Sequence, residues 1–119
     1  MIEKRTPQQG EIWKFDPNPN SEDLAQLGHE QKNYRPFLVI STGVKNRLTH
    51  VTTCIPITHT DNGFPVHVKL PDSMEVDGFA ETEHINSYDF TARHAKYVDQ
   101  MPEGVFEKIM DMILTSLDR

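Results

Sequence analysis

Short apolar stretches recur along most of the chain, and polar segments containing glycine or proline separate them. Stretches of this length, rich in β-branched and aromatic residues, are typical of β-strands. The pattern predicts strands at residues 11–15, 36–41, 50–57, 64–70 and 78–85. In the fourth stretch, alternation places Val66 and Val68 on one side of the strand and His67 and Lys69 on the other.

The segments between these strands predict different structures. Residues 16–34 form a long, almost wholly polar stretch, which inside a compact domain is usually functional or disordered. Residues 43–46 and 61–63 have the composition of turns. Residues 86–98 are less regular, and we predict a short helix followed by a strand there.

The last segment follows helical spacing. Pro102 suits the first turn of a helix. The apolar residues that recur on one face are Phe106, Ile109, Met110, Ile113, Leu114 and Leu117. Such a helix closes a core or a dimer surface. Together the elements predict one domain over residues 1–119, mostly β with a C-terminal α-helix, folded as a small antiparallel barrel.

The chain is acidic, with a formal net charge of −6. This charge argues against broad, nonspecific nucleic-acid binding, although it leaves room for a local basic pocket. The single cysteine, Cys54, excludes an internal disulfide framework and a cysteine-rich zinc site. No secretory signal and no apolar run of membrane-spanning length is found, so we expect a cytoplasmic protein with no membrane association.

The first candidate site is the polar loop at residues 28–34 together with Arg35. A guanidinium is permanently charged and matches phosphate oxygens with its forked donors. Pro36 fixes the backbone beside it, at the root of an apolar strand. The structural alternative is that Arg35 forms an ion pair with Glu30 or Asp16.

Two further stretches carry candidate chemistry. Thr58 and His59 end the third strand with a hydroxyl that can bind phosphate and an imidazole that can exchange protons. Glu83 and His84 combine a carboxylate with an imidazole, which suits acid–base work. For both stretches an ordinary exposed strand end is the more frequent cause of such a pattern. The histidines are scattered and no standard metal motif, phosphate loop or nucleophile elbow occurs, so no metal or cofactor is predicted.

The order of these motifs resembles the MazF/PemK family of toxins from toxin–antitoxin pairs. Residues 10–13 (GEIW) resemble its opening motif, and residues 28–36 (GHEQKNYRP) resemble its GxEQxxxRP loop and strand. Residues 56–58 (PIT) and 64–68 (FPVHV) match the motifs that follow. The resemblance runs from residue 10 to residue 117.

The resemblance implies an SH3-like barrel of the CcdB/MazF type that forms a homodimer. It also implies an endoribonuclease, an mRNA interferase that cleaves single-stranded RNA at specific sequences without a metal and so inhibits translation and growth. In this chemistry the 2′-hydroxyl attacks the adjacent phosphorus, leaving a 2′,3′-cyclic phosphate and a 5′-hydroxyl. A cognate antitoxin with an acidic segment would neutralise the toxin.

The same resemblance assigns roles to individual residues. It makes Arg35 the catalytic cation, Thr58 a phosphate-binding hydroxyl and His29 a participant in proton transfer. The residues implied to contact RNA are Glu30, Gln31, Tyr34, His59, Glu83 and His84. One departure stands out, because the strand at residues 81–84 has a glutamate, Glu81, where the Kid-like branch of the family has an arginine.

Two other functions stay open from the sequence. The acidic strand favours a weak or inactive family member that acts only as a binding protein. A CcdB-like gyrase poison shares the fold, but that activity needs a C-terminal Trp-Gly-Ile. This chain instead ends with the sequence TSLDR.

Overall fold

The computed structural model describes residues 5–18, 33–60, 63 and 65–117. Within these residues the elements are, in order, β1 Glu11–Phe15, β2 Arg35–Val39, α1 Gly43–Thr49, β3 Thr52–Thr58, β4 His67–Lys69, β5 Phe79–Glu81, β6 Asn86–Tyr88, β7 Lys96–Gln100 and α2 Glu103–Leu117. None of the described helices is long and apolar enough to cross a membrane.

The seven strands form one antiparallel sheet in the order β4-β5-β3-β2-β1-β7, with β6 also paired to β3. The long β3 pairs with two short strands along one of its edges. Its first half pairs with β6 and its second half with β5. Among the pairings of the described residues, none joins β4 to β7, so the sheet curls without closing. The predicted class, mostly β with a C-terminal helix, is confirmed, and "barrel" describes the curl only loosely.

Alternation along the strands gives the sheet two different faces. The face packed against α2, which we call the helix face, is built from Ile12, Leu38, Ile55, Ile57, Val68 and Ala80, with Ile109 and Ile113 of the helix. The opposite side, which we call the loop face, carries Trp13, Phe15, Phe37, Val39 and Cys54, covered by Phe90 and Ala95 from the β6–β7 connection. The Phe15 and Phe37 rings stack there with centroids 4.3 Å apart.

The predicted turn at residues 43–46 is wrong, because this segment begins the short helix α1. The Thr42 side chain caps it by accepting a hydrogen bond from the backbone N–H of Lys45 at 3.2 Å. His50 ends it in a left-handed conformation, with φ of 61°. Since His50 serves as this cap, β3 begins at Thr52, two residues later than predicted.

Three other predicted boundaries change. The fourth strand is only His67–Lys69, preceded by a turn at Pro65 and Val66, while residues 61, 62 and 64 lie outside the described residues. The fifth strand ends at Glu81, four residues early. The helix predicted within residues 86–98 is absent, and this segment forms β6, a series of turns and the start of β7.

Helix α2 begins directly after Pro102, as its sequence predicts, with the Phe106 N–H donating to the Pro102 carbonyl at 3.0 Å. Ile109 and Ile113 are buried against the sheet. The prediction that Leu114 and Leu117 join this face is wrong, because they are 59% and 64% exposed.

Candidate active site

Arg35 is the first residue of β2 and its side chain is exposed. It pairs with Phe15 in β1, and alternation places it on the loop face, in line with the buried Phe37. Among the described residues, it forms no ion pair. The predicted alternative partner Asp16 is engaged elsewhere, because its Oδ1 accepts a hydrogen bond from the Asn18 N–H at 2.9 Å. Within the described residues the guanidinium is therefore exposed and unpaired, and the other predicted partner, Glu30, lies outside them.

The backbone that carries Arg35 is rigid. The strand β2 is bonded to β1 on one side and β3 on the other, and the residues after Arg35, from Pro36 onward, are buried. A charged group fixed at the end of such a strand keeps its position when a ligand binds.

Thr58 lies at the end of β3, next to the start of β2. The β2–β3 pairs run from Val39–Cys54 to Phe37–Pro56, so Arg35 and Thr58 each lie two residues beyond the last pair, at neighbouring strand ends. The Thr58 Oγ1 accepts a hydrogen bond from the Thr60 N–H at 3.1 Å. Its own O–H can still donate, for example to a phosphate oxygen.

A glycine lets β5 approach the end of β3 closely. A Cβ at Gly78 would lie 2.5 Å from the Thr58 carbonyl oxygen, and Gly78 has φ of +126°, which other residues rarely adopt. Thr58 then pairs with Phe79, and the carboxylate of β5, on Glu81, lies two residues beyond this pair. We call the neighbouring strand ends that carry Arg35 and Thr58 the Arg35–Thr58 corner.

Four side chains near the end of β5 form a connected group, which we call the His–Glu cluster: His67, Glu81, Glu83 and His84. The His67 Nε2 lies 2.8 Å from the Glu83 Oε2. The His84 Nε2 lies 3.3 Å from the Glu81 Oε2 and 3.7 Å from the Glu83 Oε2. Partial burial alone would raise the pKa of Glu83, but hydrogen bonds from its own backbone N–H and from His67, with the charges of both histidines, hold that pKa below its ordinary value.

The cluster joins predicted and unpredicted residues. Glu83 and His84 were predicted to contact RNA, and they lie next to each other in it. His67 was not predicted as a site residue, although the alternation of the fourth stretch placed it opposite the apolar side. Its contact with Glu83 depends on the β4–β5 register, which pairs His67 with Glu81 and cannot be read from the sequence.

Tyr34 and His59 flank the Arg35–Thr58 corner in sequence. The half-buried Tyr34 donates from its hydroxyl to the His94 carbonyl at 3.3 Å. Burial, and to a smaller extent the charge of Asp16, raise the pKa of the Tyr34 phenol above its ordinary value. His59 is exposed, and its Nδ1 lies 3.4 Å from the Asp77 carboxylate.

The remaining predicted site residues, His29, Glu30 and Gln31, lie outside the described residues. Trp13, in the opening motif, belongs to the core. It is 1% exposed and its indole N–H donates to the Glu11 carboxylate at 3.0 Å.

Comparison with known proteins gives a consistent result. A family model described as a PemK-like, MazF-like toxin of type II toxin–antitoxin systems matches residues 8–117. Endoribonuclease toxin MazF of Escherichia coli (strain K12) is 35% identical over 97 residues, covering 80% of this chain and 79% of that protein. Endoribonuclease PemK of Escherichia coli is 26% identical over 119 residues, covering 96% of this chain and 84% of that protein.

Solved structures show the same fold. MazF of Deinococcus radiodurans (Form-I) superposes with a TM-score of 0.79 at 27% identity, covering 96% of this chain and 98% of that one. A chain of the MazE–MazF structure (Form-III) from the same organism also matches, with a TM-score of 0.79 at 26% identity. The match covers 94% of this chain and 96% of that one.

Proposed function

The chain belongs to the PemK-like, MazF-like toxin family of type II toxin–antitoxin systems, a family of endoribonucleases, as its motif order predicted. On that premise we propose that it cleaves single-stranded RNA at specific sequences in the cytoplasm, and so stops translation and growth. The observation that carries this proposal is the exposed, unpaired Arg35 of the described region, held on a rigid strand end beside Thr58.

The proposed reaction uses the nucleophile that RNA itself carries. A base takes the proton from the 2′-hydroxyl, whose oxygen then bonds to the adjacent phosphorus. The bond from phosphorus to the 5′-oxygen breaks, and an acid gives that oxygen a proton. The products are a 2′,3′-cyclic phosphate and a 5′-hydroxyl.

Arg35 stabilises the extra negative charge that builds up at phosphorus as the reaction passes its crowded intermediate. A fixed cation aimed at developing charge is an effective catalyst because it needs no rearrangement during the reaction. Thr58 donates a hydrogen bond to a phosphate oxygen, and His29 takes part in proton transfer. Since Arg35 supplies the positive charge, the proposed step needs no metal.

RNA contacts extend from this corner in both directions along the chain. Tyr34 stacks a base with its half-buried ring, and His59 presents an exposed imidazole directly after Thr58. The remaining proposed contacts come from Glu30, Gln31, Glu83 and His84.

We propose two protein partners. A cognate antitoxin is supported by the match to the MazE–MazF structure, in which the MazF fold occurs with an antitoxin. A homodimer is supported by exposed apolar residues on both helices, namely Val44, Leu48, Leu114 and Leu117. Size-exclusion chromatography with light scattering measures the dimer, and a monomer at micromolar concentration would contradict it.

The cleavage is tested with purified protein, mixed cellular RNA and EDTA. We expect cleavage at a short consensus sequence, with 5′-hydroxyl ends that a kinase can label directly. The 3′ ends should become ligatable only after the cyclic phosphate has been opened and the resulting phosphate removed. The matched control is Arg35→Ala at the same concentration. RNA that stays intact in the presence of micromolar wild-type protein contradicts the proposal.

The carboxylates of Glu81 and Glu83 favour a second candidate, a family member that binds its partner or RNA without cleaving. These two carboxylates lie close together, one at the end of β5 and one in the turn after it, and their negative charge opposes the approach of a phosphate. Induced expression in growing cells separates the two functions. Growth arrest by the wild type but not by Arg35→Ala supports cleavage, whereas equal arrest by both supports a binding protein.

A further inference from the structure

The His–Glu cluster has the composition of a cation site. It offers two imidazole nitrogens and two carboxylates, and these side chains come from β4, from β5 and from the turn after β5. The ligand atoms of His67, Glu81 and Glu83 all lie within 4.8 Å of one another.

Three of the four side chains, those of His67, Glu81 and Glu83, form the compact group, and His84 borders it through its contacts with the two carboxylates. Zinc binds nitrogen and carboxylate oxygen at about 2.0–2.2 Å, which in a tetrahedron separates neighbouring ligand atoms by about 3.3–3.6 Å. The distances from the His84 Nε2 to the Glu81 and Glu83 oxygens are 3.3 and 3.7 Å. The distance from the His67 Nε2 to the Glu83 oxygen is 2.8 Å, a hydrogen-bond distance that must lengthen by about 0.5 Å for both atoms to bind the same ion.

The protein also holds the ligands in place before any ion arrives. The His67 side chain is only 3% exposed, and the register pairs its residue directly with Glu81. The Glu81 and Glu83 side chains are 19% and 30% exposed, while His84 is 57% exposed. The site is therefore closed at the buried ring of His67 and open at the exposed ring of His84, and an ion can enter from the His84 side.

We propose that the His–Glu cluster binds one divalent cation of the zinc class, with His67, Glu81 and Glu83 as ligands and His84 as the fourth. Imidazole nitrogen supplies half of the donors, which favours zinc over magnesium or calcium, since the latter prefer oxygen ligands. A bound ion would compensate the negative charge of both carboxylates. The site shares Glu83 and His84 with the proposed RNA contacts, whereas the proposed cleavage step itself uses no metal.

The alternative is that the cluster is only a network of ion pairs between histidines and glutamates. Calorimetric titration of the metal-stripped full chain with zinc chloride at neutral pH distinguishes the two. We expect a saturable step with one zinc per chain, and no comparable step with magnesium. Cobalt in place of zinc should give visible absorption bands of a tetrahedral site.

Variants identify the ligands. Glu81→Gln and His84→Gln should each weaken zinc binding by on the order of tenfold or more. His67→Gln should weaken zinc binding in the same way, provided that circular dichroism shows an intact fold. If this buried change unfolds the chain, Glu81→Gln and His84→Gln alone test the site. His59→Gln is the matched control, because His59 is an exposed histidine paired with Asp77, and it should bind zinc like the wild type. Absence of a saturable step, or equal affinity in Glu81→Gln, His84→Gln and wild type, would overturn the site.

Discussion

The two faces of the same sheet do different work. The helix face is apolar from β1 to β5 and is filled by Ile109 and Ile113 of α2. The loop face is apolar only in its middle, where the aromatic cluster around Trp13 and Phe15 lies. Beyond this cluster, where β2, β3, β4 and β5 begin or end, it carries the polar residues Arg35, Thr58, His67 and Glu81.

The difference between the two faces shows that one strand can contribute both buried core residues and exposed site residues. Leu38 and Ile55 pair across β2 and β3 and are fully buried on the helix face. Arg35 and Thr58 extend the same two strands past the buried layer, where solvent can reach them. We therefore expect substitutions on the helix face to change stability, and substitutions at the strand ends of the loop face to change RNA cleavage.

The largest effect on stability should come from the helix face. Ile55→Ala removes a fully buried side chain and leaves a cavity, which should lower the free energy of unfolding by about 2–5 kcal/mol. Urea denaturation followed by circular dichroism measures this. Lys108→Ala, on the exposed side of α2, is the control and should change stability by less than about 0.5 kcal/mol. Similar losses of unfolding free energy in both variants would contradict the assignment of stability to the helix face.

Arg35→Ala should act in the opposite way, on cleavage and not on the fold. Loss of a fixed group that stabilises transition-state charge should slow RNA cleavage by about 10²–10³-fold. The melting temperature should stay at the wild-type value, because the side chain is exposed. A variant that unfolds would instead show that Arg35 has a structural role.

Thr58→Val should have a smaller effect on the same reaction. The change keeps the shape of the side chain and removes one hydrogen bond to a charged group, about 1.5–3 kcal/mol, which corresponds to roughly 10- to 150-fold in rate. Single-turnover cleavage rates measure this. If Thr58→Val cleaves as fast as the wild type, the hydroxyl does not touch the reacting phosphate.

The smallest effect concerns Glu83 and pH. Because its pKa is lower in the folded chain than its ordinary value of 4.5, the folded state gains stability from ionised Glu83 above that value. This gain is lost as the pH falls through the lowered pKa. The free energy of unfolding should therefore fall less steeply in acid for Glu83→Gln than for the wild type. Parallel curves for the two proteins would contradict the ion pair with His67.

Local sequence signals were enough for some elements and failed for others. β1 was predicted to the residue because Gly10 and the segment beginning at Asp16 bound its apolar run. α1 was missed because its helix has only seven residues and depends on capping by Thr42. The four-residue loss at the end of β5 reflects pairing that stops at Glu81, where its partner β4 begins.

For the candidate site, too, some residues were predictable from the local sequence and others were not. The type and position of Arg35 made it a phosphate candidate from the sequence alone. Its neighbour Thr58 is 23 residues away along the chain, and only the β2–β3 register brings the two together. The contact of His67 with Glu83 likewise needs the β4–β5 register and the turn that follows, which no local pattern encodes.

The most direct test of the central claim, that RNA is cleaved on the loop face at Arg35, is an NMR titration of the isotope-labelled chain. The ligand is an oligonucleotide with the mapped cleavage sequence in which hydrogen replaces the scissile 2′-hydroxyl, so that it binds but cannot react. We predict that the signals of the Arg35 side chain and of Thr58 shift with saturation, while those of Ile55 and Ile113 on the helix face stay in place. Shifts confined to α2 and the helix face, with Arg35 unchanged, would contradict the account.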